Sequence, residues 1–258
     1  VSVIRGSFMD EKRGIEIWPS VDLAAVRGAE LFLEGARRAM DERGRFTVAV
    51  SGGSSPAPLF RRIAEQAPAS GIDWGAVHIF WADERCVPPD HQDSNFRMAY
   101  ELLLSRLPAP GPVVHRIAGE LPPHEAALRY EEELSRTFTD GGLPVFDMIF
   151  LGVGSDGHTA SLFPECEARG SVERTAIAVY VEKTASRRVT LTLPVINNAR
   201  RVVFLVTGSG KADIVAEILE GKDRARYPAA RVAPTKGVLT WLLDADAGRN
   251  MRHQHRKM

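Results

Sequence analysis

The sequence predicts an α/β protein built on a mostly parallel sheet with helices on both faces. Three observations carry this expectation. Short apolar runs of strand length alternate with segments of helical period along the 258 residues. The runs, such as FTVAV and VFDMIFLGV, lack polar alternation, as strands covered on both faces do. Several of them pass directly into glycine- and serine-rich turns.

Taken in order, Val21–Arg43 places Leu23, Val26, Leu33, Ala36 and Met40 at three- and four-residue steps, which predicts an amphipathic helix. Phe46–Val50 reads as a strand running into SGGSSP. Pro56 suits the first position of a helix through APLFRRIAEQA, with Ser54 or Ser55 expected to cap it. Val77–Trp81 is a second strand, and its end turns polar at ADER. Segments 94–107 and 124–138 are helical by pattern, each entered through a capping residue or a proline pair. VFDMIFLGVG is the most apolar strand, and RTAIAVYV and RVTLTL are strand candidates after it. RVVFLV leads through TGSGK into the helix KADIVAEILEG, and GVLTWLLD is the last strand. No linker or repeat divides the chain, so 1–258 is expected to form one domain, with 1–14 and 249–258 as flexible ends.

Composition excludes several classes of function. Lys+Arg and Asp+Glu both count 33, so the formal net charge is zero and the basic excess of a nucleic-acid binder is missing. The short basic tail MRHQHRKM reads as a solvated end. Cys86 and Cys166 are too few for a disulfide framework or a zinc site. No apolar run approaches the roughly 20 residues that span a bilayer, and the charged start lacks the apolar segment of a secretory signal. The expectation is a cytoplasmic chain without membrane contact.

In open α/β sheets ligands bind beyond the carboxyl ends of the strands. SGGSS, ADER, GVGSDGH and TGSGK each follow a strand, so they are expected to form one site at one sheet edge. Gly152, Gly154 and Gly157 imitate a dinucleotide fingerprint. Pro164, however, limits any following helix to about two turns, and no acid ends a next strand at the right distance. TGSGKA is not a P-loop, because Leu205 and Ala212 stand where glycine and a hydroxyl are required. Lys211 lies in the first turn of a helix, against a positive macrodipole end. Either a bound anion relieves that conflict or the lysine is simply solvated.

Gly52 and Gly53 allow backbone N–H groups to approach a phosphate, with the Ser51 and Ser54 hydroxyls beside them; a tight turn is the alternative. Serine-esterase chemistry is not supported, since G-x-S-x-G does not occur. Arg85, next to Asp83 and Glu84, offers a phosphate fork or an internal ion pair, and Arg187 and Arg188 offer further cations. His158 alone among seven histidines occupies a glycine-flanked loop at a strand end, two residues after Asp156. That setting suits a general base tuned by its neighbouring acid. No HExxH or ligand-spaced cluster points to a metal.

Together SGGSSP, WADERCVPPDHQDSN, VFDMIFLGVGSDGHTASLFP, RRVTLTLPVINNARRVVFLVTGSGKA and LTWLLDADA, in order over 15–247, resemble the 6-phosphogluconolactonase family. The resemblance implies hydrolysis of 6-phospho-D-glucono-1,5-lactone in the oxidative pentose phosphate pathway, without metal or organic cofactor. The implied partner is thus a small sugar-phosphate lactone, and the expected assembly a monomer or small homo-oligomer. The implied fold is a Rossmann-like sheet with a small additional layer, shared with glucosamine-6-phosphate deaminase and ribose-5-phosphate isomerase. By the same resemblance His158 activates water, with Asp156 beside it. Asp83, Arg85, Arg188 and Lys211 hold the phosphate with the Gly52–Gly53–Ser54 turn. Separately from the resemblance, and on geometry only, the backbone N–H groups of the Gly154–Gly157 loop are candidates for stabilising the oxyanion.

Two other functions are weighed against this one. Glucosamine-6-phosphate deaminases carry AFNEP after the histidine, with a catalytic glutamate five residues on; here that position is Phe163. A non-catalytic sugar-phosphate sensor would need an output module, and no segment is left over to supply one.

Overall fold

In the computed structural model, residues 4–10, 13–164 and 173–252 are described. A sheet of eight strands dominates. Its order is β1 (Ile4–Asp10), β2 (Arg13–Trp18), β11 (Val238–Asp244), β10 (Arg201–Val206), β7 (Met148–Leu151), β3 (Phe46–Val50), β4 (Val77–Trp81) and β6 (Val113–His115). Every neighbouring pair is parallel except β1–β2. A second sheet of three antiparallel strands has the order β5 (Asp83–Arg85), β9 (Ser186–Leu191), β8 (Ala176–Val181).

The central strands are buried along their whole length, which is why their sequences are continuous apolar runs. Helix α1 (Val21–Arg43) packs on β3, β10 and β11 through Ala24, Ala29, Phe32 and Ala36, each fully buried. Ser20 starts it by accepting the Leu23 N–H, and Gly44 ends it at φ 72°. Phe32 meets Phe46 edge-on at 5.2 Å, and Trp241 stacks on Phe204 at 4.1 Å. Helices α2 (Pro56–Gln66), α3 (Asn95–Leu102), α4 (Pro123–Thr137), α5 (Leu193–Asn197) and α6 (Ala212–Glu220) complete the fold. Among the described residues no helix is long and apolar enough to cross a membrane.

Strand order locates the site. From β3 the chain adds β4 and β6 on one side, while β7, β10 and β11 extend the sheet on the other. The direction of winding therefore switches between β3 and β7, and at such a point the two following loops diverge and leave a crevice. The loops in question are 51–55 and 152–158.

Several expectations are corrected. The start of the chain is not uniformly a loose end: Ile4–Asp10 pairs with Arg13–Trp18 in the large sheet, because β11 leaves an edge for β2 to join. Residues 1–3, 11, 12 and 253–258 lie outside the described residues. Near the other end, Met251 is buried and the Asn250 amide donates to Asp213, so 249–252 is tied down. DER is not a loop on the large sheet but strand β5 of the small one. Segment 94–107 is α3 followed by a separate turn at Leu104–Arg106. In keeping with the rejected dinucleotide fingerprint, no helix follows Gly157 up to Pro164, where turns and a Thr159–Leu162 bridge stand.

Candidate active site

One cleft of about 180 Å³ opens at the switch point. Ser51, Gly52, Gly53 and Ser54 line it from the β3 turn, Asp83 and Arg85 from β5, His158 from the β7 loop, Arg188 from β9 and Lys211 from the start of α6. Asp156 stands behind His158.

The 152–158 loop is folded on itself. Gly154 N–H donates to His158 C=O at 2.8 Å, Gly157 N–H to Gly154 C=O at 3.0 Å, and Thr159 Oγ1 to Gly152 C=O at 2.9 Å. A Cβ on Gly154 would collide with His158 Nδ1 and Asp156 Oδ1, so only glycine permits this turn. The Gly154 and Gly157 N–H groups are thus engaged inside the loop.

The imidazole Nδ1 lies 2.5 Å from Asp156 Oδ1, and the same oxygen accepts the His158 backbone N–H at 3.2 Å. Burial pushes the Asp156 carboxyl up, but the charge and hydrogen bonds of His158 outweigh it and the net shift is downward. An ionised carboxylate only accepts, so Nδ1 carries the proton and Nε2 is left with its lone pair. Burial, only partly offset by Asp156, pushes the His158 imidazole below its ordinary value. Phe163 contributes to that burial, its ring lying 4.2 Å from the imidazole.

Three cations share the cleft. Arg85 and Arg188 face each other directly across the β5–β9 ladder. Arg85 donates to Asp93 C=O at 2.6 Å while its Nε is buried without a partner. Arg188 Nε donates to Ser186 Oγ at 3.1 Å and its guanidinium lies over Phe163. Neither arginine forms an ion pair with a carboxylate among the described residues. Burial and then the like charge of Arg85 hold the Arg188 guanidinium below its ordinary value. Burial likewise lowers Lys211, with Asp156 opposing.

The acids of ADER have different tasks. Asp83 is buried, takes a hydrogen bond from Ser161 Oγ at 2.7 Å, and accepts from Asn95 Nδ2 at its carbonyl at 2.8 Å. Glu84 turns away and accepts the Asn95 and Phe96 N–H groups at 2.7 Å, holding the N-terminus of α3. Burial nevertheless raises its carboxyl.

Two serines depart from expectation. Ser51 Oγ donates to Phe150 C=O at 3.1 Å and so links β3 to β7, although its residue lines the cleft. Ser55 precedes α2 in helical conformation and makes no cap bond, its hydroxyl meeting Thr207 Oγ1 instead. Lys211 closes a tight turn, and α6 proper begins at Ala212. Asn95 was not among the predicted site residues. It is buried, lines the cleft, and sits where a Cβ on Gly52 would collide with its Oδ1. Its one sequence signal is its place directly after the α3 cap Ser94.

Comparison with known proteins agrees over most of the chain. Residues 19–241 match the family described as glucosamine-6-phosphate isomerases/6-phosphogluconolactonase. A 6-phosphogluconolactonase of Nostoc sp. is 38% identical over 241 residues, covering 92% of this chain and 98% of its own. A human 6-phosphogluconolactonase is 43% identical over 209 residues, covering 80% and 81%. Among solved structures, the 6-phosphogluconolactonase from Trypanosoma brucei superposes with a TM-score of 0.80 at 28% identity, over 93% of this chain and 99% of that one. A monomeric glucosamine-6-phosphate deaminase shares the fold, with a TM-score of 0.77 at 17% identity over 93% and 99%. With the family matched over most of its length, and relatives this similar across nearly all of it, the chain belongs to the glucosamine-6-phosphate isomerase/6-phosphogluconolactonase family.

Proposed function

We propose that the chain hydrolyses 6-phospho-D-glucono-1,5-lactone to 6-phospho-D-gluconate, the lactone-opening step of the oxidative pentose phosphate pathway, with His158 as general base and water as nucleophile. One observation carries this reading: a single cleft holds a carboxylate-oriented imidazole together with three cations that form no ion pair with a carboxylate among the described residues. The first is an acid–base group and the second a receptor for a phosphate dianion.

His158 Nε2 takes a proton from water as the water oxygen bonds to the lactone carbonyl carbon. The tetrahedral intermediate then breaks its bond to the ring oxygen, which receives the proton held on Nε2. The product is a carboxylic acid that ionises. A lactone is an activated ester, so an oriented base and a fixed substrate suffice without a covalent nucleophile and without a metal. Arg85, Arg188 and Lys211 hold the phosphate together with the Gly52–Gly53–Ser54 turn, and Asp83 positions the small sheet through Ser161 and Asn95. The relatives named 6-phosphogluconolactonase support the same substrate. Deamination is not favoured, because the position five residues after the histidine holds Phe163, packed on the imidazole.

The test is His158→Ala assayed on freshly generated lactone. Hydrolysis above the spontaneous background falls by about 10²–10⁴, while 6-phosphogluconate still binds. Undiminished turnover in this variant overturns the assignment.

A further inference from the structure

At the sheet edge opposite the cleft, the strand starts also carry charge. Arg45 precedes β3, Asp147 precedes β7, Arg200 and Arg201 lie at the start of β10, and Lys236 comes shortly before β11. Two adjoining hollows of about 310 and 250 Å³ occupy this edge, with Arg43, Asp147 and Arg200 as their common wall. Arg45 adds to the first, and Arg38, Arg201 and Lys236 to the second.

Of the carboxylates lining the hollows, Asp147, Glu34 and Glu42 are already engaged, while the exposed Asp140 stands in the first hollow. Asp147 accepts the Thr47 N–H and hydroxyl at 2.9 Å on one oxygen, and Arg43 and Arg200 share the other at 3.0 and 3.4 Å. Glu34 meets Arg27 at 3.2 Å, and Glu42 pairs with Arg43. Arg38, Arg201 and Lys236 form no ion pair among the described residues. Arg43 has a local reason to be there, as the last-turn cation of α1. Arg201 and Lys236 stand outside any helix and have none. Arg201 is half-buried, and burial followed by the like charge of Arg38 holds its guanidinium below its ordinary value against the pull of Glu34. A half-buried guanidinium beside like charges in a concave wall is unfavourable until an anion joins it. The chain has a formal net charge of zero, so this local excess is not a by-product of a basic composition.

We propose that the paired hollows bind a small anion with two phosphate groups, one held by Arg38, Arg201 and Lys236 and the other by Arg43, Arg45 and Arg200. Guanidinium forks match phosphate oxygens two at a time, and the shared wall sets the two groups side by side.

Calorimetric titration of the full chain with pyrophosphate at low ionic strength, with 6-phosphogluconate filling the cleft, tests this. One pyrophosphate per chain is expected to bind. Its affinity falls about tenfold in Arg201→Gln/Lys236→Gln while lactone turnover is unchanged. Lys236→Gln alone changes an exposed side chain, leaves the fold intact, and weakens binding about threefold, so it decides the matter if the double variant does not fold. No pyrophosphate binding with the cleft filled, or equal affinity in the variants and the parent, overturns the proposal. Failure of 6-phosphogluconate itself to bind would count against the proposed function instead, and the comparison of Lys236→Gln with its parent would still decide this one.

Discussion

His158 is subject to two opposed influences. Burial against Phe163 disfavours its charged form, and Asp156 favours it; burial wins, and the imidazole sits below its ordinary value of 6.5. A base that stays neutral at physiological pH is ready to accept a proton without first losing one. The activity profile follows from this sign. The acid limb of kcat/KM lies below pH 6.5, where the free enzyme begins to protonate His158. Asp156→Asn removes the charge that stabilises the imidazolium but leaves an amide oxygen to receive Nδ1–H. The limb then moves to still lower pH, while the plateau falls by about tenfold or more because the weaker base accepts the proton less readily. A limb that stays in place, or moves upward, would show that Asp156 does not tune the imidazole. The same depressed value makes the folded chain bind the His158 proton less readily than the unfolded chain. This residue therefore costs stability as pH falls from 6.5 through the lowered value.

Individual elements are joined by few but buried polar links, and α4 illustrates this. Tyr130 is fully buried; its hydroxyl donates to Trp81 C=O at 2.7 Å and accepts the Trp81 N–H at 3.0 Å. That pair lies at the end of β4, where the chain leaves the large sheet for β5 and finds no ladder partner on this side. Tyr130→Phe strands both backbone groups and is expected to lower the unfolding free energy by about 2 kcal/mol, measured by urea denaturation. An unchanged midpoint would mean that water or a local shift satisfies Trp81. Most such elements were legible beforehand, because continuous apolar runs and three-to-four-residue periods report burial directly: Val21–Arg43, Phe46–Val50 and Val77–Trp81 have the bounds expected of them. What the runs did not report was partnership. RVTLTL and RTAIAVYV read as further strands, yet they pair with each other in a separate antiparallel sheet, where RVTLTL also pairs with DER. Arg188 accordingly enters the cleft although it comes early in its strand, since an antiparallel strand presents its beginning where a parallel one presents its end. The inward turn of Ser51 was unreadable, and the place of Asn95 after its cap did not show that it reaches Asp83, because both depend on contacts across segments.

At the scale of the whole molecule, the cleft exists because two sheets of different kind meet over a switch point. The large sheet supplies a backbone turn and a histidine loop, both anchored in a buried core, and the small sheet supplies two arginines placed opposite each other. Directly facing like charges on a ladder destabilise it by a few tenths of a kcal/mol up to about 1 kcal/mol. An anion bound between the two arginines would offset that cost. The arrangement therefore couples stability to ligand. Arg188→Gln is expected to raise the stability of the ligand-free chain by about 0.5 kcal/mol, since it removes one of the facing charges. In the parent, 6-phosphogluconate at a hundred times its Kd adds about 2.7 kcal/mol, and the variant loses most of that gain because the phosphate has lost a partner. Urea denaturation with and without 6-phosphogluconate reads both terms in one experiment. A variant that is less stable without ligand and still gains the full increment with it would mean that Arg188 serves the packing over Phe163 and not the anion. The opposite pattern would tie the small sheet's place in the fold to the phosphate it faces.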